Sequence, residues 1–346
     1  NNDLEYYLPG IEFSIDNQYI WEEPNNHFLH HELIKLPDGN YLGLIGDIRI
    51  GPIPYGPWTT LFQALGYQAN GFSPDFPWVG DKIVIWDKDT KEIIWEWNTF
   101  DYYSMNDYDT ISDTWFQAAT LGRFDWTHSN ALDYDWSSIT NSIDKIYLSV
   151  RHLSRISKID YNSKNIDWNI GLEMPSGDTN LGNELKFSFQ HSLHKSISYP
   201  SCFATLDNGN ISEQILNTDY PTTRALLICY DENIDSEPYI QWEYSLPENY
   251  FGFASGNVQI LDNGNFLITT VGDGGSVLEI DFEKNIIWEG KLNLQLPNGA
   301  VYRANRISGL YPDNYSVLLK EFSDNTSAVT ASINNGNYLT NYNHIQ

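Results

Sequence analysis

Leu261-Asp-Asn-Gly-Asn-Phe-Leu-Ile-Thr-Thr270, followed by Val277-Leu-Glu-Ile-Asp281 and Ile286-Ile-Trp288, holds two phrases that recur along the chain. The first is an apolar residue, an Asx-Gly-Asn turn and an apolar strand. It returns as Leu36-Pro-Asp-Gly-Asn40 and Leu206-Asp-Asn-Gly-Asn210, and more loosely as Leu296-Pro-Asn-Gly-Ala300 and Ile333-Asn-Asn-Gly-Asn337. Asn-Gly and Asp-Gly supply the positive φ angles of tight hairpins, so each copy is read as strand, two-residue turn, strand. The second phrase is an apolar strand ending in Asp, a polar turn and a strand ending in Trp. It returns as Ile83-Val-Ile-Trp-Asp87 with Ile93-Ile-Trp95, Ile156-Ser-Lys-Ile-Asp160 with Ile166-Asp-Trp168, and Leu226 to Asp231 with Ile240-Gln-Trp242. Ile15-Asp16 with Ile20-Trp21 is a shorter copy.

The marker tryptophans 21, 95, 168, 242 and 288 are separated by 74, 73, 74 and 46 residues. A four-stranded propeller blade takes about 40–50 residues, so the shortest interval is a bare blade and the others carry insertions. The expectation is an all-β propeller over residues 1–346, most simply six blades of four antiparallel strands, with about 313–346 as a closing segment. Five or seven blades also fit the spacing. A β-sandwich explains alternating strands but not the paired phrases. Three insertions, at 51–80, 99–124 and 173–186, are expected to cap one face, where ligands bind a rigid scaffold.

The 346 residues carry 46 acidic against 19 basic side chains, a formal net charge of −27. Such a surface repels nucleic acid and anionic lipid, so neither is an expected partner. An anionic substrate then needs a locally basic site. No run of about 18 apolar residues occurs, so no membrane span is expected. The chain begins at Asn1, read as a processed or excerpted start, and export is expected. Cys202 and Cys229 fall in two strand-like runs. The simpler reading is two buried thiols, with a disulfide open to an exported protein.

Histidines are few, and most stand at the edges of inner strands. His30 and His31 precede the Leu36 turn, His128 precedes Ala131, and His191 precedes the Leu206 turn; Asn257 takes the matching place in the next blade. Innermost strands of a propeller surround one axis, so His31, His128, His191 and Asn257 are expected to converge. Arg151 and His152 lie at a strand end, where alternation puts at most one of them in the channel. Imidazoles in such a cluster suit either a transition metal or group transfer at an anionic centre. No His-x-His spacing supports the metal, and no cofactor is expected. Calcium at the Asp- and Asn-rich turns is open, although turn geometry accounts for those residues.

Asp125-Trp-Thr-His-Ser-Asn-Ala-Leu-Asp-Tyr-Asp135, Lys145-Ile-Tyr-Leu-Ser-Val-Arg-His152, Phe187-Ser-Phe-Gln-His191 and Thr223-Arg-Ala-Leu226 occur in an order that resembles the bacterial arylsulfotransferases. His30-His31 fits the start of that pattern, and Tyr302-Arg-Ala-Asn-Arg-Ile307 with Leu310-Tyr-Pro312 fits its end. The resemblance implies an exported six-bladed propeller that moves a sulfuryl group from an aryl sulfate to a phenol, without a nucleotide donor, through a sulfated histidine. By motif it makes His128 and His191 supporting histidines and Arg224 the arginine that holds the sulfuryl oxygens. His152, Asn257, Arg303 and Trp126 are expected to contact substrate. The family's nucleophile lies downstream of the arginine, where this chain reads Val271-Gly-Asp-Gly-Gly-Ser-Val277. Either another histidine such as His31 replaces it, or the chain is a non-catalytic module with a protein partner or a role in surface assembly.

Overall fold

The computed structural model describes residues 9–14, 18–24, 29–294 and 301–307, except positions 180, 198, 200 and 235. It also describes the backbone of three C-terminal strands. The turn copy at 296–300, the Leu310-Tyr-Pro312 stretch, Ile15-Asp16 and His27 lie outside the described residues.

Four antiparallel sheets of successive strands make four blades. The first holds β3 (Leu29–Lys35), β4 (Tyr41–Pro52), β5 (Pro74–Trp86) and β6 (Ile93–Asn98), with β7 (Phe124–Asp125) parallel to the far end of β5. The second holds β8 (Ser129–Ser137), β9 (Ser142–Val150), β10 (Arg155–Asp160) and β11 (Ile166–Gly171). The third runs β12 (His191–Lys195), β13 (Cys202–Asp207), β14 (Arg224–Cys229) and β15 (Tyr239–Ser245). The fourth runs β16 (Asn257–Ile260), β17 (Phe266–Thr270), β18 (Ser276–Ile280) and β19 (Ile286–Lys291). A propeller-like array of four-stranded sheets is the expected fold class. Before it stands the hairpin β1 (Ile11–Phe13) and β2 (Tyr19–Glu22) that carries Trp21. In the expected closing segment, β20 (Tyr315–Glu321), β21 (Ser327–Asn335) and β22 (Tyr338–Ile345) pair with one another.

The marker tryptophans join blades. Trp95 on β6 donates its indole N–H to the Tyr161 carbonyl at 3.0 Å, in the turn after β10 of the next blade. Trp242 on β15 donates to the Phe282 carbonyl at 2.9 Å, and Trp168 on β11 to the Glu232 carboxylate at 2.9 Å. The outermost strands β6, β11 and β15 thus latch onto the third-to-fourth-strand turn of the following blade. The Asp that ends the third strand holds that turn: Asp87, Asp160 and Asp281 each accept backbone N–H groups of their own turn. At these three seams the Trp and the Asp of the recurring phrase both do structural work, whereas Trp288 on β19 is half exposed.

Two turn expectations change. In the Leu36 and Leu261 copies the loop between closing residues is three residues long, not two. Leu36 N–H reaches the Asn40 carbonyl at 2.8 Å and Gly39 N–H reaches the Leu36 carbonyl at 2.9 Å, with Gly39 at φ +93°. This is a type I turn closed by a left-handed glycine, the common three-residue hairpin. The Leu206 copy is no hairpin at all. It ends β13, and its backbone leads into the short helix Ser212–Ile215. Gly209 (φ +69°) passes so close to the Thr222 carbonyl that any Cβ would collide with it.

The insertions are more ordered than loops. Residues 51–80 extend β4 and β5 into a long hairpin with a helix at Thr59–Ala64, and 99–124 contain helices Thr99–Tyr102 and Thr114–Leu121. Asp107, fully buried, ties the second insertion to blade two through Arg155 at 2.6 Å and to residues 173–186 through Ser176 N–H at 2.9 Å.

Cys202 and Cys229 face each other across β13 and β14 and form a disulfide, which corrects the simpler reading of two thiols. The bridge closes a 27-residue separation in the sequence. On chain entropy alone it stabilises the fold by about 3 kcal/mol. Cys202→Ala/Cys229→Ala is therefore expected to lower the urea midpoint and to raise the m-value, because the unfolded chain is released to expose more surface; an unshifted midpoint would remove the bridge from the stability account.

Candidate functional site

The innermost strands β3, β8, β12 and β16 all begin on one face of the array, and the histidines stand at their starts. Straight strands would not aim those rings at one point. Each of β3, β8 and β12 has a register break at its entry, between His30 and Leu33, Ser129 and Ala131, and His191 and His194. The break coincides with left-handed backbone at His31 (φ +60°), His128 (φ +47°) and Ser192 (φ +63°). Non-glycine residues there cost on the order of 1 kcal/mol each, strain typical of functional sites.

The result is a cluster of imidazoles from three blades. The His31 and His128 rings are 5.1 Å apart, His31 and His191 6.4 Å, His128 and His191 6.5 Å, and His128 and His152 4.8 Å. One ring nitrogen from each of His31, His128 and His191 lies within 4.8 Å of the others, and Asp125, His128 and His152 form a second such group.

Hydrogen bonds give the rings different roles. His128 Nδ1 lies 2.5 Å from the Asp125 carboxylate, which leaves Nε2 as its available base. Burial pushes Asp125 up, but His152, His128 and Arg151 outweigh it and hold the carboxyl well below the usual range. His191 gives Nδ1–H to Asn208 at 2.8 Å and receives the Ser255 N–H on Nε2 at 3.3 Å. Burial, with the Arg151 charge, holds it neutral. His152 gives Nδ1–H to the Asp125 carbonyl at 2.6 Å and takes an Arg151 N–H on Nε2 at 2.5 Å, so both nitrogens are used. Burial lowers its pKa to about 4. His31 meets His30 Nδ1 to Nδ1 at 2.7 Å, and His30 Nε2 faces buried Asp81 at 3.2 Å. Burial, with the charges of His128, His30 and Arg303, drops His31 to about 2.

Beside His30, His31, Asp125 and His128 opens a cavity of about 390 Å³, walled by Ile48, Val79 and Leu121 and flanked by Arg123. Val79 and Leu121 belong to insertions, so the insertion face is the site face. A flat aromatic group fits such apolar walls with polar atoms at one end.

Arg224 is not brought to this cluster. It begins β14, the third strand of its blade, away from the axis. Its guanidinium bonds to Asp207 at 2.8 Å, to Glu243, and to the carbonyls of Leu185 and Lys186. Arg151 stands at the cluster instead, against His152, with its Nη2 on the Phe253 carbonyl at 3.1 Å and its guanidinium carbon 5.1 Å from the Phe189 ring. Arg151 and His152 both reach the site because β9 ends at Val150 and strand alternation no longer applies. Arg303 comes near from below, held by Glu32 and the Asn130 carbonyl. Asn257 does not face the rings; it pairs with Ala304 and Asn305 and, with Arg303, lines a separate cavity of about 270 Å³. Trp126 is wholly buried, its N–H on the Asp107 carbonyl at 2.7 Å, and cannot stack on a substrate. The downstream stretch Val271-Gly-Asp-Gly-Gly-Ser-Val277 makes a short turn at Gly272–Gly274 packed on Tyr250. Sequence reasoning missed Asp125 and Asn208 as partners of the rings, and it allowed only one of Arg151 and His152 where both arrive; the clue for Asp125 was its place three residues before His128.

The family model of arylsulfotransferases (ASST) matches residues 74–287. The chain belongs to the arylsulfotransferase family. Its activity is therefore arylsulfotransferase-like in general, and aryl sulfates and phenols are the family's substrates. No curated relative matches the chain. Among solved structures, this arylsulfotransferase-family chain is similar to a protein of unknown function from Bacteroides caccae (13% identity, 86% of this chain and 72% of that one, TM-score 0.32). It is also similar to BBS1N in complex with ARL6DN (8%, 77% and 64%, TM-score 0.33). A third likeness is to prolyl oligopeptidase B from Galerina marginata (10%, 91% and 32%, TM-score 0.30). At these scores the likenesses carry no argument about function. Among the described residues, no helix is long and apolar enough to cross a membrane.

Proposed function

We propose that His128 carries the sulfuryl group between an aryl sulfate and a phenolic acceptor, in place of the missing downstream histidine. The observation behind this reading is the Asp125–His128 pair beside the apolar cavity. Among the rings, His152 has both nitrogens engaged, His191 has its Nε2 covered by Ser255, and His31 is a very weak base. His128 alone combines a carboxylate on Nδ1 with an uncommitted Nε2, the arrangement that activates a nucleophile.

In the first half-reaction the Nε2 lone pair forms an N–S bond, the aryl S–O bond breaks, and the phenolate leaves with that electron pair. Asp125 stabilises the positive charge on the ring. In the second, the acceptor oxygen attacks sulfur, the N–S bond breaks, and the pair returns to Nε2. The acceptor's proton passes to solvent or to the returning base. Arg151 lies where it offsets the charge of the three sulfuryl oxygens, with Arg303 behind His31. These cations supply the local basicity that a substrate anion needs against a net charge of −27. We place the protein in an oxidising compartment, a reading supported by the Cys202–Cys229 bridge.

The test is a chromogenic aryl sulfate with a phenol acceptor, in the presence of a chelator. Phenol release with transfer to the acceptor supports the reading; no release from pH 5 to 9 favours the binding-module alternative. Arg151→Gln is expected to cost roughly 10²-fold in kcat/KM. Arg224→Gln is expected instead to lower Tm while leaving kcat per folded molecule intact, because it strands buried Asp207. The reverse ranking would return the clamp to Arg224.

A further inference from the structure

We infer that the histidine cluster also binds one divalent transition-metal ion of the zinc class, through Nε2 of His31, His128 and His191, and that this ion blocks sulfuryl transfer. The binding claim goes beyond the transfer reading; only the blocking claim rests on it.

Three observations carry the inference. First, one nitrogen from each ring already lies within 4.8 Å of the other two. Zinc–nitrogen bonds of about 2.0–2.1 Å need tetrahedral nitrogens roughly 3.4 Å apart, so the rings must close by little more than about 1 Å. Second, every ring has its Nδ1 occupied: His128 on Asp125, His191 on Asn208, His31 on His30 with Asp81 behind it. That outer shell fixes the rings and presents Nε2, as the partners of metal-ligating histidines do. Third, the three rings come from three blades, so their spacing is set by the scaffold and not by one flexible loop. The Ser255 N–H on His191 Nε2, at 3.3 Å, is the contact that metal binding would break.

Charge does not forbid the ion. Arg151, Arg303 and, at the cavity wall, Arg123 are cations near the cluster, and Asp81, Asp125 and Glu32 are carboxylates around it. The fourth coordination position would open on the cavity of about 390 Å³. An ion on Nε2 of His128 occupies the lone pair that sulfur would need, so bound metal and transfer exclude each other.

The experiment uses the full chain stripped with chelator and titrated with Co²⁺, read by visible d–d absorption and by stoichiometry. One saturable site per chain with a tetrahedral-type spectrum is expected, displaced by Zn²⁺, and abolished in both His31→Gln and His191→Gln. His194→Ala, whose ring accepts the Ile260 N–H outside the cluster, should keep the spectrum. Absence of a saturable spectrum, or a spectrum that survives both cluster variants, overturns the site. Zn²⁺ should inhibit phenol release as one equivalent is added; full activity of zinc-saturated protein overturns the blocking claim. Binding is read without turnover, so a chain that binds cobalt but, once stripped of metal, releases no phenol sinks the transfer reading alone.

Discussion

His128→Ala is expected to abolish transfer from a chromogenic aryl sulfate, lowering kcat at least roughly 10³-fold, which is about 4 kcal/mol of barrier. The ring is partly exposed and makes no core contact that alanine would empty, so Tm should stay near the parent value. Asp125→Asn should lose roughly 10²-fold or more for a different reason. An asparagine can turn its amide N–H toward Nδ1, which forces the proton onto Nε2 and removes the nucleophilic lone pair. Imidazole added to His128→Gly should restore part of the phenol release. Mass spectrometry of a trapped reaction should find one sulfuryl group on the peptide that contains His128. A His128→Ala protein that transfers at the parent rate would end the assignment, and sulfation of His31 would relocate it.

The second large effect is on stability. Asp107→Ala should cost about 3–5 kcal/mol, because it leaves the Arg155 guanidinium buried and unpaired. Both side chains are fully buried at 2.6 Å, and Asp107 also accepts the Ser176 N–H. With about 2.1 cal/mol/K of unfolding entropy per residue, the loss corresponds to roughly 4–7 °C in Tm. The double change Asp107→Leu/Arg155→Met should recover most of it, since it removes the charge with its partner. Calorimetry of the three variants decides. A single variant as stable as the parent would mean that the pair is solvated.

The fold was more legible in the sequence than the site. Turn glycines and latch tryptophans act within one blade or across one seam, so their signal sits in short local phrases. The start of each inner strand was also legible, because His31, His128 and His191 occupy it in order. What failed depended on contacts between distant segments. The 206–210 phrase looked like a hairpin, yet its Asp207 serves Arg224 and its Asn208 serves His191. Arg224 matched a motif, but its strand lies off the axis, whereas Arg151 reaches the rings from a turn. Trp126 read as an aromatic near a histidine, and packs inward beside Phe100 and Trp78. Nothing in a one-dimensional pattern separates these pairs of outcomes.

The indole latches give the molecule a direction. Each donor lies on the last strand of one blade, and each acceptor lies in a turn that the ribosome makes 40 to 66 residues later. A blade is therefore not sealed when its own four strands exist; it is sealed when most of its successor has emerged. Assembly during synthesis should run as a chain of deferred closures, and a truncation that ends at a blade boundary should leave the last blade with an open seam.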